Sequence, residues 1–267
     1  MDHPPKVLQL SDASLAAYQR SRLRPNSSSF LAFYSSHLDG ITRDPVLMTV
    51  PMDDHMCHRG HAVFDTCNVV DGHAYGLGFH LDRLIKSAGL ARIPLQEWDK
   101  ARLRETVLHT IAAAGRPNDV FVRFWLSVGA GDFSISPKAT YGTAFFVMIQ
   151  QAPPQLSTST ASGKAKMKLD GVREFCVDVP LKPALLANLK STNYLLNALA
   201  AMQSEEKGGY LGIQLDAAGR VAEGAIGNVA IIDQGRTEGL RVPPDHPCGR
   251  LRCERGDRFQ SHLLRKR

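Results

Sequence analysis

Lys190 is the residue of this sequence whose surroundings best suit covalent chemistry. A lysine attacks an aldehyde to form a Schiff base only as the neutral amine, whereas lysine in water has a pKa of about 10.4. Leu185, Leu186, Leu189 and Leu195 flank this position, and burial against apolar side chains, or a nearby cation, favours the neutral amine. The pattern fits a reactive lysine, but a lysine at an arbitrary position is usually an exposed surface residue.

Arg83 is a second candidate, because a guanidinium fork makes paired, charge-assisted hydrogen bonds to a phosphate dianion. It lies in a segment from Phe79 to Ala91 in which leucines and alanines recur at helical spacing. We therefore expect Arg83 on a helix. The alternative is a solvated helix arginine beside Asp82.

A metal site is not expected from the cluster His55, Cys57, His58 and His61. Its spacing matches no common zinc pattern, and no second ligand group follows at a usual distance. The five cysteines are scattered and form no CxxC pair, so they give neither a zinc nor a disulfide framework and suit a reducing compartment.

Charge and hydropathy limit the partners that we expect. Residues 245–267 carry seven basic and three acidic side chains, so this segment accounts for +4 of the net charge of +6. Its arginines lack interleaved aromatic residues apart from Phe259, which argues against nucleic-acid binding. No apolar run reaches the ~18 residues that a membrane span needs. The first residues show no secretory pattern, which favours the cytoplasm by default and leaves a plastid open.

Hydrophobic periodicity indicates the elements that must position these residues. The first part of the chain, residues 1–150, is predicted to be an α/β domain. Its strands are expected at 46–50, 62–70, 120–128 and 143–150, and its helices at 79–91 and 96–114. Asp71-Gly72 is the expected hairpin turn after the second strand.

The second part of the chain is predicted to be a smaller domain. Residues 151–163, rich in Pro, Ser, Thr and Ala, indicate a linker. Residues 164–244 are expected to form a partial cofactor-binding domain with a helix ending near Glu206, capped by Ser191 or Thr192. The inner stripe of this helix is expected to be Tyr194, Leu195, Ala198, Leu199 and Met202.

Three segments, in this order, carry a family resemblance. They read RGHAVFDT at 59–66 with HLDRL at 80–84, LKSTNYLLN at 189–197, and GRVAEGAIGNV at 219–229. Each alone is a modest signal. Together they resemble the fold-type IV, or class-IV, aminotransferases of the branched-chain and D-amino acid group, which also contains aminodeoxychorismate lyase. The resemblance covers roughly residues 40–244.

This resemblance implies an α+β fold of two domains and the cofactor pyridoxal 5'-phosphate. Lys190 would hold the cofactor aldehyde and shuttle the substrate proton, and Arg83 would bind the phosphate. Glu223 would keep the pyridine nitrogen protonated, with Asn228 nearby. Tyr194 would reach the ring oxygen, although a plain core tyrosine is as plausible at this position.

Arg123 is the residue that we expect to meet a substrate carboxylate. The D-amino acid branch of the family places an arginine and a histidine just after this strand, whereas here the stretch 127–131 reads SVGAG. Recognition of the carboxylate, and with it the stereochemical preference, therefore departs from the family pattern.

The resemblance stops after Pro244. Family members continue with a turn at a helix N-terminus that holds the phosphate through backbone N–H groups, and with helices that cover the second domain. Residues 245–267 show little apolar periodicity, so we expect a disordered tail, an incomplete second domain and impaired activity.

The implied reaction is transamination between an amino acid and a 2-oxo acid. The stretch 125–133 resembles plant-type D-amino acid transaminases more than branched-chain enzymes, so a D-amino acid is favoured. The alternatives are an aminodeoxychorismate lyase that forms 4-aminobenzoate, and a non-catalytic chain that pairs with an intact homologue. The family is usually dimeric, which implies a homodimer.

Overall fold

A computed structural model describes residues 12–70, 72–115, 117–152, 172–229, 231–233, 236–238 and 258–261. These residues divide into two compact units. The first holds the described residues up to Ala152 together with Leu189–Thr192. The second holds the remaining described residues from 172 onward. The segment that carries Lys190 therefore belongs to the first unit. From the sequence it was expected in the second domain.

The first unit is built on a six-stranded antiparallel sheet of order β2-β1-β6-β5-β3-β4. Its elements, in chain order, are α1 (Asp12–Ser21), β1 (Phe30–Ser35), β2 (Gly40–Thr42), α2 (His55–Arg59), β3 (Ala62–Val70), β4 (His73–Ala74), α3 (Leu77–Leu90), α4 (Lys100–Ala113), β5 (Val120–Ser127) and β6 (Ala144–Gln151).

Helices α3 and α4 of the first unit form its main core with β3, β5 and β6. Helix α3 presents Leu81, Leu84 and Ala88, all fully buried, at the helical spacing that the sequence predicted. Asp99 caps α4 by accepting a hydrogen bond from the N–H of Arg102. The alternation of buried and less buried residues along β3 gives the sheet one face in this core.

The second unit contains β7 (Val172–Val177), α5 (Ala184–Asn188), α6 (Leu195–Glu205), β8 (Ile213–Leu215), β9 (Val221–Gly224), β10 (Ile231–Asp233), β11 (Arg236–Glu238) and β12 (Arg258–Ser261). Strands β12, β7, β8 and β9 form one sheet in that order, and β10 pairs with β11. Strand β8 is parallel to β7 and antiparallel to β9.

Three sequence expectations are wrong in the described residues. Residues 46–50 form no strand, because Pro45 begins a single 3-10 turn, Pro45–Leu47, instead. Thr192 does not cap α6, since its hydroxyl donates to the carbonyl of Gly60. The expected inner stripe of α6 is largely exposed, and the helix buries Asn197, Ala200 and Ser204.

Some expectations fall outside the described residues: Asp71 of the hairpin turn, the linker beyond Ala152, and residues 239–257 and 262–267 of the C-terminal segment. Within the latter segment, Arg258–Ser261 pairs with β7 as strand β12. No helix among the described residues is long and apolar enough to cross a membrane.

Candidate functional site

The Lys190 segment lies along the open edge of β3. The N–H of Phe64 donates to the carbonyl of Lys190 at 2.9 Å, and the N–H of Thr192 donates to the carbonyl of Ala62 at 3.0 Å. Ser191 and Val63 form an antiparallel bridge between these two bonds. Because ladder hydrogen bonds fix the register of an added strand, the position of Lys190 is set by β3.

Helix α3 supplies a further contact to the same lysine. The N–H of Lys190 donates to the hydroxyl of Ser87 at 3.2 Å, and Ser87 is buried. The half-buried Lys190 places its Nζ 4.6 Å from the centre of the Phe64 ring. Of the flanking leucines, Leu189 is buried in the core, whereas Leu185 and Leu195 are mostly exposed. The contact that the structure shows at the Lys190 amine is thus the Phe64 ring rather than the run of leucines.

Arg83 lies one helical turn before Ser87, so both residues share one face of α3. Its Nε and Nη2 donate to the two carboxylate oxygens of Asp65, each at 2.7 Å. Nδ1 of His80 lies 3.0 Å from the same carboxylate. Asp65 is fully buried and follows Phe64 on β3. Two consecutive residues of β3 thus hold the two candidates: Phe64 bonds to the backbone of Lys190, and Asp65 bonds to the side chain of Arg83.

The charge of Asp65 is stabilised by these contacts. Burial by itself would raise the pKa of this carboxyl, but the hydrogen bonds from Arg83 and from the N–H of Thr66, the charge of Arg83 and the contact with His80 outweigh it. The pKa of Asp65 therefore lies below its usual value. Asp65 is an anion that directs the Arg83 fork.

Arg123 lies on β5 and is exposed. It stands opposite Thr66 in the register of β3 and β5, and its Nε donates to the Thr66 hydroxyl at 3.2 Å. Phe64 is two residues before Thr66, so its ring is on the same face of the sheet. Because Lys190 Nζ lies over that ring, Arg123 and the Lys190 amine share one face of the sheet.

In the second unit, Glu223 is half-buried and stands opposite Gln214 across β8 and β9. Gln214 is in turn the register partner of Val177 on β7. Register partners point to the same face of a sheet. Val177 packs with Ala200 of α6 in one apolar cluster, so Glu223 and Gln214 lie on the α6 side of this sheet.

Two buried amides on this side have unpartnered oxygens among the described residues, namely Gln214 Oε1 and Asn197 Oδ1. Their nitrogens are engaged: Gln214 Nε2 donates to the carbonyl of Pro180 at 3.0 Å, and Asn197 Nδ2 donates to the carbonyl of Ala225. Between α6 and the sheet, these two amide oxygens therefore lack a donor in the part of the chain that the structure describes.

The remaining expected cofactor residues are also in the second unit. Tyr194 precedes α6, is half-buried, and has the Nζ of Lys182 5.2 Å from its ring centre. Asn228 is exposed and follows the turn in which the N–H of Gly224 donates to the carbonyl of Gly227. Tyr194 and Asn228 thus lie on segments that flank α6 and β9.

The histidine cluster is a packed group at α2. The His55 ring is fully buried, with its centre 4.8 Å from that of His58 and 6.2 Å from that of His61. Burial, followed by the charges of His58 and His61, lowers the pKa of His55. Within the part of the chain that the structure describes, no group of three or more histidine, cysteine or acidic residues is arranged to hold a metal ion.

Sequence reasoning missed the residues that position the candidates. Asp65 and Phe64 belong to the RGHAVFDT segment, but their sequence neighbours gave no sign of a partner. Ser87 and Gln214 carried no signal, because a serine in a helix and a glutamine in a strand are ordinary residues. Their contacts join segments far apart in the sequence.

Two curated proteins are similar in sequence to this chain. The chain is 38% identical over 243 residues to the D-amino-acid transaminase, chloroplastic, of Arabidopsis thaliana, an alignment that covers 87% of this chain and 62% of that protein. It is 27% identical to the bifunctional aminodeoxychorismate lyase / D-amino acid transaminase of Mycobacterium tuberculosis, over 79% of this chain and 72% of that protein. The chain thus spans less than two thirds of the length of the Arabidopsis relative.

Solved structures show the same fold. A branched-chain aminotransferase from the thermophilic archaeon Thermoproteus uzoniensis, solved with norvaline, matches with a TM-score of 0.64 at 20% identity, covering 78% of this chain and 67% of that one. A sequence model of the amino-transferase class IV family matches residues 62–243, which include all six candidate residues. With more than half of its length matched, this chain belongs to the amino-transferase class IV family.

Proposed function

We propose that this chain binds pyridoxal 5'-phosphate, the cofactor of the class IV aminotransferases, and exchanges an amino group between an amino acid and a 2-oxo acid. A D-amino acid is the favoured substrate, because the Arabidopsis relative is named a D-amino-acid transaminase. The observation that carries this proposal is the pairing of the Lys190 segment with β3, the strand whose Asp65 also holds Arg83.

The proposed role of each candidate residue follows from the chemistry of its side chain. When bound, the cofactor supplies an electron sink for negative charge at the substrate Cα. Lys190 would hold the cofactor and move the proton at that carbon, and Arg83 would contribute positive charge to the phosphate. Glu223 would accept a hydrogen bond from the ring nitrogen. Arg123 receives a substrate carboxylate on the face that it shares with the Lys190 amine.

Tyr194 and Asn228 complete the proposed cofactor set through hydrogen bonds. The second unit also offers Glu223, a half-buried carboxylate on β9. A carboxylate is the acceptor that a protonated pyridine nitrogen requires. The residues present therefore fit the cofactor of this family.

Covalent capture tests the proposal directly. The purified chain is incubated with pyridoxal 5'-phosphate, reduced with borohydride and digested, and the modified peptide is located by mass spectrometry. We expect the label on Lys190, and its loss in Lys190→Ala with Lys182→Ala as the matched control. A label spread over surface lysines, or none, would contradict the proposal.

Aminodeoxychorismate lyase is the second candidate, because the Mycobacterium relative is named for both activities. Incubation with D-alanine and 2-oxoglutarate, in parallel with aminodeoxychorismate, separates the two. Pyruvate formed from D-alanine supports the transaminase, whereas 4-aminobenzoate released together with pyruvate from aminodeoxychorismate, without turnover of D-alanine, supports the lyase. L-alanine serves as the control for the handedness of the substrate.

A homodimer in the cytoplasm is the state that we propose for this chain. The dimer follows from the family resemblance, and the proposal of the cytoplasm rests on scattered cysteines that form no CxxC pair in the sequence. A plastid is the alternative, since the Arabidopsis relative is named chloroplastic. Light scattering of the purified chain and imaging of a fluorescent fusion of the whole coding sequence test the two statements.

A further inference from the structure

The orientation of the Gln214 amide is set by its surroundings. Gln214 is fully buried, and its Nε2 faces the carbonyls of Val179 at 3.4 Å and Pro180 at 3.0 Å. A carbonyl only accepts hydrogen bonds, so turning the amide over would set an oxygen against these two oxygens. Oε1 therefore keeps its place, and it has no partner among the described residues.

Glu223 is the cross-strand neighbour of this glutamine, because β9 pairs with β8 on the side away from β7. The oxygen and nitrogen of a planar amide point in different directions, so Oε1 is turned away from the carbonyls of Val179 and Pro180. Gln214 and Glu223 are register partners across β8 and β9, and such partners have Cβ atoms about 4.5–5.5 Å apart.

The buried amide oxygen of Gln214 needs a hydrogen-bond donor, and the described residues supply none. A carboxylate and an amide oxygen cannot bond to each other, and buried polar atoms of native proteins are nearly always paired, often through ordered water. We propose that one water molecule donates to both Gln214 Oε1 and the Glu223 carboxylate, and so fixes the direction in which Glu223 points. Gln214 is then a positioning residue for Glu223, an inference that rests on the proposed function.

The test compares two ligands: pyridoxal 5'-phosphate, and its analogue in which a C–H group replaces the ring nitrogen. Gln214→Met removes Oε1 at similar volume. Gln203→Met is the matched control, because Gln203 also bonds to the backbone within the second unit, accepting from the N–H of Asp178. Dissociation constants are measured by equilibrium dialysis, which does not depend on turnover.

In Gln214→Met we expect affinity for the natural cofactor to fall about tenfold, as the loss of one hydrogen bond to a charged group implies, with less than about a twofold change for the carbon analogue. Gln203→Met should leave the ratio of the two affinities unchanged. Equal weakening of both ligands by Gln214→Met would make Gln214 a purely structural residue. That result overturns this inference and leaves the proposed function standing.

A wild-type chain that binds neither ligand, or that does not prefer the natural one, would instead overturn the proposed role of Glu223 and this inference with it. If Gln214→Met does not fold, a high-resolution crystal structure of the wild-type chain decides. A water within hydrogen-bond distance of both Gln214 Oε1 and Glu223 supports the proposal, and its absence from well-defined density rejects it.

Discussion

At the scale of single residues, Asp65 is a buried charge that should stabilise the first unit. Its carboxylate is buried and bonded through both oxygens to Arg83. Asp65→Asn keeps the shape and removes the charge, so we expect the free energy of unfolding at pH 7 to fall by about 1.5–3 kcal/mol. Urea denaturation measures this loss, with Asp82→Asn as an exposed control on α3.

The pH dependence of the same pair has a definite sign. Because the folded pKa of Asp65 lies below its usual value of about 3.9, its contribution to stability is complete above that value. The contribution is lost as the pH falls through the folded pKa. The difference between wild type and Asp65→Asn should therefore shrink in acid, and a constant difference from pH 7 to pH 2 would contradict this assignment.

His55 should make the stability of the folded chain depend on pH in a higher range than Asp65 does. Its ring is fully buried, its nitrogens have no partner among the described residues, and burial lowers its pKa. The unfolded chain then binds a proton more readily, so stability should fall as the pH drops below about 6.5, the usual histidine value. In His55→Phe the change in melting temperature between pH 8 and pH 5 should be smaller than in wild type.

At the scale of elements, the loop after β5 depends on a glycine. Gly129 has φ +103°, and a Cβ there would lie 1.8 Å from the carbonyl oxygen of Gly142. We expect Gly129→Ala to cost more than the ~1–2 kcal/mol of a left-handed alanine, because the backbone must also move. Gly115→Ala, at φ +86° with open space around it, isolates the conformational cost. Equal losses in thermal denaturation would exclude a collision.

The elements that the sequence predicted well are those defined by local pattern. Helix α3 and strands β3, β5 and β6 follow from hydrophobic periodicity. The prediction of the buried face of α6 was wrong, because the residues that this helix buries are small or polar: Asn197, Ala200 and Ser204. A prediction from the spacing of apolar side chains therefore indicated the face of α6 that is exposed in the structure.

The sequence predicts which residues of the candidate site could do chemistry, but it does not predict where the structure places them. The motifs name Lys190 and Arg83, whereas their common support by β3 joins residues more than a hundred positions apart in the case of Lys190. Non-local strand pairing leaves no periodic trace in either segment. The position of the Lys190 segment within the first unit therefore required the structure.

At the scale of the whole molecule, cofactor binding should be visible as stability. A ligand present at 100 times its dissociation constant stabilises the folded state by about 2.7 kcal/mol. We expect pyridoxal 5'-phosphate to raise the melting temperature of wild type, and pyridoxal, which lacks the phosphate, to do so only at higher concentration. Arg83→Gln should reduce this difference between the two compounds, and Arg104→Gln on α4 should preserve it.

The pairing of the Lys190 segment with β3 also bears on solubility. Where this segment lies, it covers the backbone groups of Ala62 and Phe64 that a sheet edge would otherwise present. An uncovered edge is a template for pairing with another chain, which leads to aggregation. Substitutions that loosen residues 190–192 are therefore expected to make the protein precipitate during expression before any loss of catalysis can be measured.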